Sequence, residues 1–413
     1  MDIRMTIWLL WAVFLVGCKK EKPTSDTNKE TKIETFEPVA VTKANAMKVW
    51  VHYMPWFEDK ATSGNGKWGQ HWTMANKNPD IIGADGKRQI ASHYYPLIGP
   101  YASSDTDVLE YHFLLMKYAG IDGILIDWYG TRQLYDYPQN KRNTEAIVAV
   151  LEKVGLQYAI VYEDQTLRDG FDSDAQRLSQ AVADMNYLRT NFFNDGHYIR
   201  LDGKPLLLTF GPQIINTPSG WNTVFNTLVD KPAFFTLYNH SHLANNATYQ
   251  LATGEYIWVD ATPMETKYAR KHEVPQLIGG AYPGFDDYYK EGGWGEQVLG
   301  DIDHEDGALF DRSLQMATDE NRTQLQLITW NDFGEGTMIE PTHEFQYAFL
   351  EKLQDFTGLP YNKAILEQIY AYYTLKKQFA DQPEKQKQLL QAFYYLISLQ
   401  HNKAMGLINE IAN

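Results

Sequence analysis

Short runs of apolar, β-branched and aromatic residues recur from residue 48 onward, and longer segments with helical periodicity separate them. Eight runs have the length and composition of buried strands, and they cover residues 49–56, 123–129, 158–163, 205–210, 234–239, 255–260, 276–282 and 325–330. The intervening segments with a helical pattern include residues 106–119, 144–153, 174–192 and 307–321. Strands that alternate with helices are typical of repeated βα units around a parallel sheet.

The number of these units indicates the architecture. Eight βα units within about 300 residues fit a (β/α)8 barrel, which usually takes about 250 residues plus insertions. Doubly wound sheets rarely need so many strands. We therefore predict an α/β fold in which residues 45–344 form a single (β/α)8 TIM barrel.

The pattern changes after residue 344. Residues 347–356, 363–379 and 384–401 read as amphipathic helices with few glycines or prolines. We predict that residues 345–413 form a C-terminal helical extension packed on the barrel. A separate helical interaction module is the alternative, although Tyr, Leu and Phe are too frequent there for a solvated tail.

The N-terminal residues predict a targeting signal. Arg4 precedes an apolar stretch over residues 5–14 that is too short to span a bilayer, and the string LVGC ends at Cys18. This string resembles a bacterial lipobox. We predict a lipoprotein signal peptide over residues 1–17, lipidation of Cys18 and a flexible tether over residues 18–44, which are rich in Lys, Glu, Thr, Ser and Pro. A buried thiol in an ordinary N-terminal helix is the alternative for Cys18.

Two lysines follow the cysteine where an aspartate would retain a lipoprotein at the inner membrane. Lys19 and Lys20 therefore favour a bacterial outer-membrane lipoprotein that faces the periplasm or the cell surface. Membrane contact is expected only through the N-terminal lipid anchor.

Composition and charge exclude several classes of function. Of 413 residues, 44% are hydrophobic and 22% are charged, so the chain can bury a large core. The net charge of −15 disfavours binding to nucleic acid and to anionic lipid. The single cysteine excludes a disulfide framework, and neither a phosphate-binding G-x-x-x-x-G-K-[ST] nor a G-x-S-x-G motif occurs. We expect a monomer.

The carboxyl ends of the strands carry the candidate binding residues, because active sites of (β/α)8 barrels lie at that end. The candidates are aromatic, acidic, amide and imidazole side chains: Tyr53, Trp56, Asp127, Trp128, Glu163, Tyr238, Asn239, His240, Asp260, Tyr282, Trp330 and Asn331. Aromatic rings stack on the C–H faces of a sugar, while its hydroxyls need donors and acceptors. This set predicts a carbohydrate substrate, with ordinary core packing as the alternative for any one aromatic residue.

The catalytic candidates are Asp332 and Glu335, three residues apart after the last strand. Two carboxyl groups in one cleft can divide the work, one protonated as general acid and the other ionised as base or nucleophile. Glycoside cleavage needs this division. The alternative is a solvated helix face, and Glu340 or Glu344 is a weaker candidate for one of the two roles.

We predict no metal and no cofactor. His52, His71, His93 and His112 are widely spaced, no H-E-x-x-H motif occurs, and His240 and His242 have no third ligand nearby in the sequence.

The ordered blocks HYMPWF (52–57), HYYPLIGPYASSD (93–105), AGIDGILIDWYG (119–130), VYED (161–164), AYPGFDD (281–287) and WNDFGEGTMIEP (330–341) resemble those of one family. It is glycoside hydrolase family 99, the endo-α-1,2-mannosidases and mannanases, and the likeness spans most of residues 48–345. The resemblance implies the barrel fold and cleavage of α-mannosides. Glu335 matches the second family glutamate, whereas Asp332 stands where the family has the first.

In the mechanism that the resemblance implies, the first carboxylate takes the proton of the sugar 2-hydroxyl, which displaces the leaving group through a 1,2-anhydro intermediate. The second carboxyl protonates the leaving oxygen. The block around Asp332 also resembles that of the inverting α-1,3-glucanases of family 71, in which an Asp and Glu pair acts through water. The sequence thus predicts a glycoside hydrolase, endo-acting on α-mannan-type glycans. An α-1,3-glucanase-like inverting enzyme and a noncatalytic glycan-binding lipoprotein are the alternatives.

Overall fold

The computed structural model describes residues 32–413, so the predicted signal peptide, Cys18 and most of the tether lie outside the described residues. This part of the chain contains nine strands: β1 (Lys48–Tyr53), β2 (Gly123–Trp128), β3 (Gln157–Tyr162), β4 (Arg200–Leu201), β5 (Lys204–Thr209), β6 (Ala233–Leu237), β7 (Ala252–Tyr256), β8 (Leu277–Ala281) and β9 (Gln324–Leu327).

Eight of these strands form a closed parallel barrel. Their order is β3-β2-β1-β9-β8-β7-β6-β5, and β3 pairs with β5 to close the ring. The two-residue β4 pairs antiparallel with the start of β5 and stands outside the ring. Each of the eight predicted runs overlaps one barrel strand, and the prediction of a (β/α)8 barrel is confirmed.

The largest shift between prediction and structure concerns the sixth run. Strand β7 ends at Tyr256, whereas the predicted strand covers residues 255–260. Gly254 allows this strand to pack closely, because a Cβ there would lie 2.2 Å from the carbonyl oxygen of Gln276. After β7 the Ile257 N–H still donates to the Ile278 carbonyl at 3.2 Å, and the next residue, Trp258, lies at the barrel mouth.

Helices surround the barrel and extend beyond it: α1 (Gln70–Thr73), α2 (Thr106–Tyr118), α3 (Tyr137–Val154), α4 (Asp174–Asn191), α5 (Pro218–Phe225), α6 (Met264–Ala269), α7 (Tyr289–Gly292), α8 (Ala308–Asp319), α9 (Ala348–Thr357), α10 (Lys363–Gln378), α11 (Pro383–Ile397) and α12 (His401–Ala412). Side-chain caps define several starts; Asp105 accepts from the N–H of Asp107 before α2, and Ser173 accepts from Gln176 in α4. Within residues 32–413, no helix has the length and apolarity needed to cross a membrane.

The last predicted helix is wrong at its C-terminal end. Residues 384–401 were expected to form one helix, but α11 ends at Ile397 and α12 begins at His401. Leu399 has a positive φ of 60°, which breaks the helix between them. The chain thus folds back and places α12 against α11.

Helices α9–α12 pack on one side of the barrel. The Tyr372 hydroxyl in α10 donates to Glu110 Oε2 in α2 at 2.6 Å, and Lys376 Nζ approaches the same oxygen at 2.6 Å. The amide of Gln354 in α9 donates to the Tyr118 carbonyl at 3.0 Å. Buried polar contacts therefore join the extension to the barrel in addition to apolar ones.

Residues 33–44 are not free of the fold. The N–H of Val39 donates to the Ile397 carbonyl at 2.9 Å, and the N–H of Ala44 donates to the Thr357 carbonyl at 3.0 Å. The Phe36 ring packs on Tyr395 at 5.7 Å. The prediction that a flexible tether extends to residue 44 is therefore wrong for this stretch, because backbone bonds and an aromatic contact hold it on the C-terminal helices.

Candidate active site

A cavity of about 620 Å³ opens at the carboxyl ends of the strands. Its walls come from the loops after most of the barrel strands, and both members of the predicted catalytic pair, Asp332 and Glu335, line it. A second cavity of about 650 Å³ lies at the opposite end, where Arg200, Lys271 and Arg322 line it without a carboxyl pair. Only the first cavity has the acid pair that the sequence predicted.

The loop after β9 presents the two acids on one short turn. Asp332 Oδ1 accepts a hydrogen bond from the Glu335 N–H at 3.0 Å, and the Asp332 N–H donates to Thr329 Oγ1 at 2.8 Å. A short side chain is needed for such a local cap, because its oxygen must reach an N–H three residues ahead. Asp332 therefore both faces the cavity and shapes the turn that presents Glu335.

Neighbouring residues hold this turn in place. The amide of Asn331 accepts from the Met54 N–H at 2.8 Å and donates to the Met54 carbonyl at 3.0 Å, which ties the turn to the end of β1. Gly336 has a φ of 66°, and a Cβ there would lie 2.8 Å from the Asp286 carbonyl oxygen. The backbone at this point therefore requires glycine.

The surroundings give the two acids different tendencies to ionise. Burial raises the pKa of Asp332 to about 6, while N–H groups of Glu335 and Gly334 and the charge of His71 oppose the rise. Burial, and then the charge of Asp332, raises the pKa of Glu335 well above its usual range, opposed by a 3.2 Å hydrogen bond from the Tyr289 hydroxyl. Glu335 is thus the member that keeps a proton, and Asp332 the one that ionises.

Two further predicted acids lie in the same cavity. Asp127, at the end of β2, is 2% exposed, and neither of its carboxyl oxygens has a hydrogen-bond partner within residues 32–413. Burial, and then the charge of Asp332, raises its pKa well above the usual range. Burial and the charge of Asp127 do the same for Glu163. The unpartnered buried carboxyl of Asp127 is available to bind the hydroxyls of a ligand, and Glu163 lies in the same cavity.

A His–Asp pair that the sequence analysis missed stands at one wall. The His71 Nε2 lies 3.3 Å from Asp136 Oδ2, and the Gln70 amide donates to the same oxygen at 2.7 Å. Burial opposes ionisation of Asp136, but the hydrogen bonds from His71 and Gln70 outweigh it and lower its pKa. The His71 ring stacks on Trp56 with centroids 4.2 Å apart and planes within 4°.

Of the predicted site residues, the structure brings Trp56, Asp127, Glu163, Asp332 and Glu335 together around the cavity. The other nine candidates do not line it: Tyr53, Trp128, Tyr238, Asn239, His240, Asp260, Tyr282, Trp330 and Asn331. These nine residues lie at other positions in the fold.

Alternation along the strands explains two of these misses, Tyr53 and Trp128. Successive side chains of a strand point to opposite faces, so His52 and Asp127 face the cavity while Tyr53 and Trp128 face the helices. The Tyr53 hydroxyl lies 3.0 Å from His112 Nδ1, and the Trp128 ring stacks on Tyr187 at 5.8 Å. Trp330 is fully buried, 5.4 Å from the His112 ring.

Three other candidates form a cluster of their own. The Tyr238 hydroxyl donates to Asp260 Oδ2 at 2.5 Å, and Lys267 Nζ lies 2.9 Å from Asp260 Oδ1. The same ammonium stands 5.8 Å from the centre of the Tyr282 ring. Asp260 is thus paired with Lys267 and Tyr238, and the cluster offers no free carboxyl group to the cavity.

The last three misses have mainly backbone or supporting roles. The Asn239 N–H donates to Glu255 Oε2 at 2.8 Å, and the His240 N–H donates to the Leu237 carbonyl at 3.1 Å. Asn331 ties the turn that carries Asp332 and Glu335 to the end of β1. Asn239 has a φ of 62°, typical of a turn rather than of a ligand-facing strand end.

The cavity also contains residues that the sequence analysis did not select for this site. They are mainly aromatic or loop residues: His52, Met54, Gln70, His71, Met74, Tyr129, Tyr135, Asp136, Tyr137, Gln165, Thr166, Phe210, Trp258, Tyr289, Trp294, Glu296 and Val298. The alternation of side chains along β1 could have identified His52, because His52 and Tyr53 point to opposite faces of the strand. The residues from long loops have no periodic signal, since their position depends on how the loops fold over the barrel.

The barrel, the acid pair with unequal ionisation and the aromatic walls together define a class of protein, the glycoside hydrolases built on a (β/α)8 barrel. The sequence model of glycosyl hydrolase family 99 matches residues 45–244, and the resemblance to that family is confirmed. A search of curated proteins gives no match. The matched range ends before the turn that carries Asp332 and Glu335.

Solved structures agree on the fold. The GH99 endo-α-mannosidase from Bacteroides thetaiotaomicron superposes with a TM-score of 0.57 at 17% identity, over 79% of this chain and 99% of that chain. A complex of that GH99 enzyme with BIS-TRIS-propane gives 0.57 at 18% identity, over 76% and 97%. A protein described as glycoside hydrolase-like gives 0.51 at 12% identity, over 79% and 97%.

Proposed function

We propose that this glycoside hydrolase cleaves α-mannan-type glycans within the chain. The observation that carries the proposal is the turn on which Asp332 and Glu335 face one cavity with different tendencies to ionise. The family match over residues 45–244 supports it. The solved relative described as an endo-α-mannosidase is consistent with this substrate class.

In the proposed reaction, the Glu335 carboxyl donates its proton to the oxygen that leaves. The Asp332 carboxylate removes the proton of the sugar 2-hydroxyl, whose oxygen attacks the anomeric carbon as the glycosidic bond breaks. Water then opens the 1,2-anhydro sugar, with Glu335 as base, and Asp332 returns its proton to the 2-oxygen. The unpartnered Asp127 and the nearby Glu163 bind hydroxyls of the sugar during these steps.

A second candidate rests on the length of Asp332. Aspartate is one methylene shorter than the family's glutamate, so a water held between Asp332 and the sugar would give an inverting reaction. Such a reaction does not need a 2-hydroxyl trans to the leaving group, and α-1,3-glucan becomes a suitable substrate.

Product analysis tests the proposal. The protein is incubated with α-mannans and α-glucans of several linkages, and the products are identified by mass spectrometry, with Glu335→Gln as the blank. We expect oligosaccharides from α-mannan. Cleavage of α-1,3-glucan alone would select the second candidate. Tight binding of a glycan without turnover would instead identify a noncatalytic binding protein. The absence of both binding and cleavage would refute the proposal.

The dependence of the rate on pH tests the assigned ionisation states. Because Asp332 acts as a base with a pKa of about 6, kcat/KM is expected to fall as the pH drops through about 6. The charge of His71 favours the ionised form of Asp332, so His71→Gln is expected to move this acidic limb to higher pH. The profile is measured at saturating and limiting substrate. An acidic limb that stays in place in His71→Gln contradicts the assignment.

A further inference from the structure

Six aromatic rings form a continuous row along the cavity. In order, they are Trp294, His71, Trp56, Tyr129, Tyr137 and Tyr135, and all six line the cavity. The centroids of successive rings lie 5.5, 4.2, 6.3, 5.4 and 5.7 Å apart. We call this row the aromatic arc. It runs from the loop after β8, past the loop after β1, to the loop after β2.

The two ends of the aromatic arc are open to solvent. Trp294 is 40% exposed and Tyr135 is 65% exposed, whereas Trp56 and Tyr129 between them are only partly exposed. Large aromatic side chains left in water at the rim of a cavity are costly for folding alone and often mark a binding surface. The arc therefore carries aromatic surface from the interior of the cavity to its solvent-exposed rim.

The backbone holds both ends in specific positions. Tyr135 has a φ of 50°, in the left-handed region that a residue with a bulky side chain rarely adopts, and its hydroxyl donates to Asp169 Oδ2 at 3.3 Å. The Trp294 N–H donates to the Tyr289 carbonyl at 2.8 Å. An unfavourable backbone conformation that fixes an exposed ring at the mouth of a site points to a function for that ring.

The charges around the arc restrict the kind of glycan it takes. Acidic residues of the cavity include Asp127, Asp136, Glu163 and Glu296 in addition to the catalytic pair, and no Lys or Arg is among its lining residues. Such a site repels uronic acids and sulfated sugars. It favours a neutral glycan whose rings present C–H faces to the aromatic side chains.

We propose that the aromatic arc forms outer subsites for a neutral polysaccharide, in which Trp294 and Tyr135 bind sugar units beyond the one held at Asp332 and Glu335. This inference rests on the proposed function and deepens it. With a binding ring at each end of the arc, the glycan crosses the cavity mouth with units on both sides of the reacting bond. The site then cleaves internal linkages in preference to chain ends.

Substrates of different length test the arc. Trp294→Ala and Tyr135→Ala are compared with wild type on a soluble α-mannan and on 4-nitrophenyl α-mannoside, which fills only the catalytic part of the cavity. Each variant is expected to raise KM for the polymer about tenfold, as expected for the loss of one aromatic contact. Activity on the aryl glycoside should stay within about twofold, since no outer unit is present.

Matched variants separate binding from folding. Leu390→Ala removes an apolar side chain that is also 40% exposed, but from the C-terminal helices, and it should leave both activities unchanged. Trp294→Phe and Tyr135→Phe keep a ring and should retain most of the affinity for the polymer. Thermal unfolding of each variant checks that the fold is intact.

The outcomes distinguish this inference from the proposed function. Equal losses on polymer and aryl glycoside, or no loss on either, would overturn the role of the arc while the hydrolase activity stands. If no α-mannan or α-glucan is cleaved, the affinity of the wild type and of both alanine variants for the same polymers is measured by calorimetry. Weaker binding by the alanine variants supports the arc without the reaction, and unchanged or absent binding overturns it.

Discussion

Replacement of Glu335 by glutamine is expected to lower kcat on a natural polysaccharide by about 10²- to 10⁴-fold, the usual contribution of a positioned general acid. The amide cannot donate a proton to the leaving oxygen, but it preserves the size of the side chain and its contact with the Tyr289 hydroxyl. Affinity for the glycan should therefore change little, so the loss appears in kcat rather than in KM.

The leaving group provides an internal check on this role. An aryl glycoside with an acidic phenol needs little protonation, so Glu335→Gln should slow its cleavage far less than that of the polysaccharide. Glu344→Gln is the matched control, because Glu344 bonds to Lys87 and to the Tyr95 N–H and does not line the cavity. A Glu335→Gln variant with nearly wild-type turnover of polysaccharide would contradict the assignment.

Two substitutions of Asp332 are expected to fail for different reasons. Asp332→Asn keeps an oxygen that can accept from the Glu335 N–H, so the turn stays intact and only the base is lost. Asp332→Glu keeps the carboxylate but moves its oxygens away from that N–H. Although it restores the family residue, it breaks the cap that presents Glu335. We expect both variants to lose about 10²-fold or more in kcat, since a 1 Å displacement alone can cost that much.

The first product formed tests how Asp332 acts. Direct proton transfer from the 2-hydroxyl retains the anomeric configuration, and proton NMR of the wild-type reaction on α-mannan should show the α-anomer first. An initial β-anomer would mean that Asp332 works through water, as in the second candidate function. A rise in activity in Asp332→Glu would show that the turn tolerates the longer acid, and that the cap does not explain the aspartate.

Local patterns were sufficient for the architecture and for locating Asp332 and Glu335 at the cavity. The eight strand runs are recognisable because a parallel barrel strand is buried on both faces, which makes its sequence apolar and β-branched over four to six residues. Asp332 and Glu335 are recognisable because they follow the last such run directly. Residues this close to a strand end must lie near that end, because the short connecting segment limits how far they can move from it.

The tertiary structure decided which candidates share the cavity. Asp127 and Trp128 are neighbours in sequence, but strand alternation turns one into the cavity and the other into the helix layer. Asp260 ends a predicted run, yet its partner Lys267 neutralises it outside the cavity. Pairing of this kind depends on which elements pack together, and no local pattern contains it.

The sequence by itself determined the (β/α)8 barrel, the family resemblance and the acid pair, because burial periodicity and strand ends are properties of short segments. Only the tertiary structure decided that His71, Asp136, Tyr135 and Trp294 join the site, that residues 33–44 dock on the C-terminal helices, and that α11 and α12 are separate. These features depend on contacts between residues far apart in the chain. Loop conformation and side-chain packing determine such contacts, and no short segment of the sequence contains both partners.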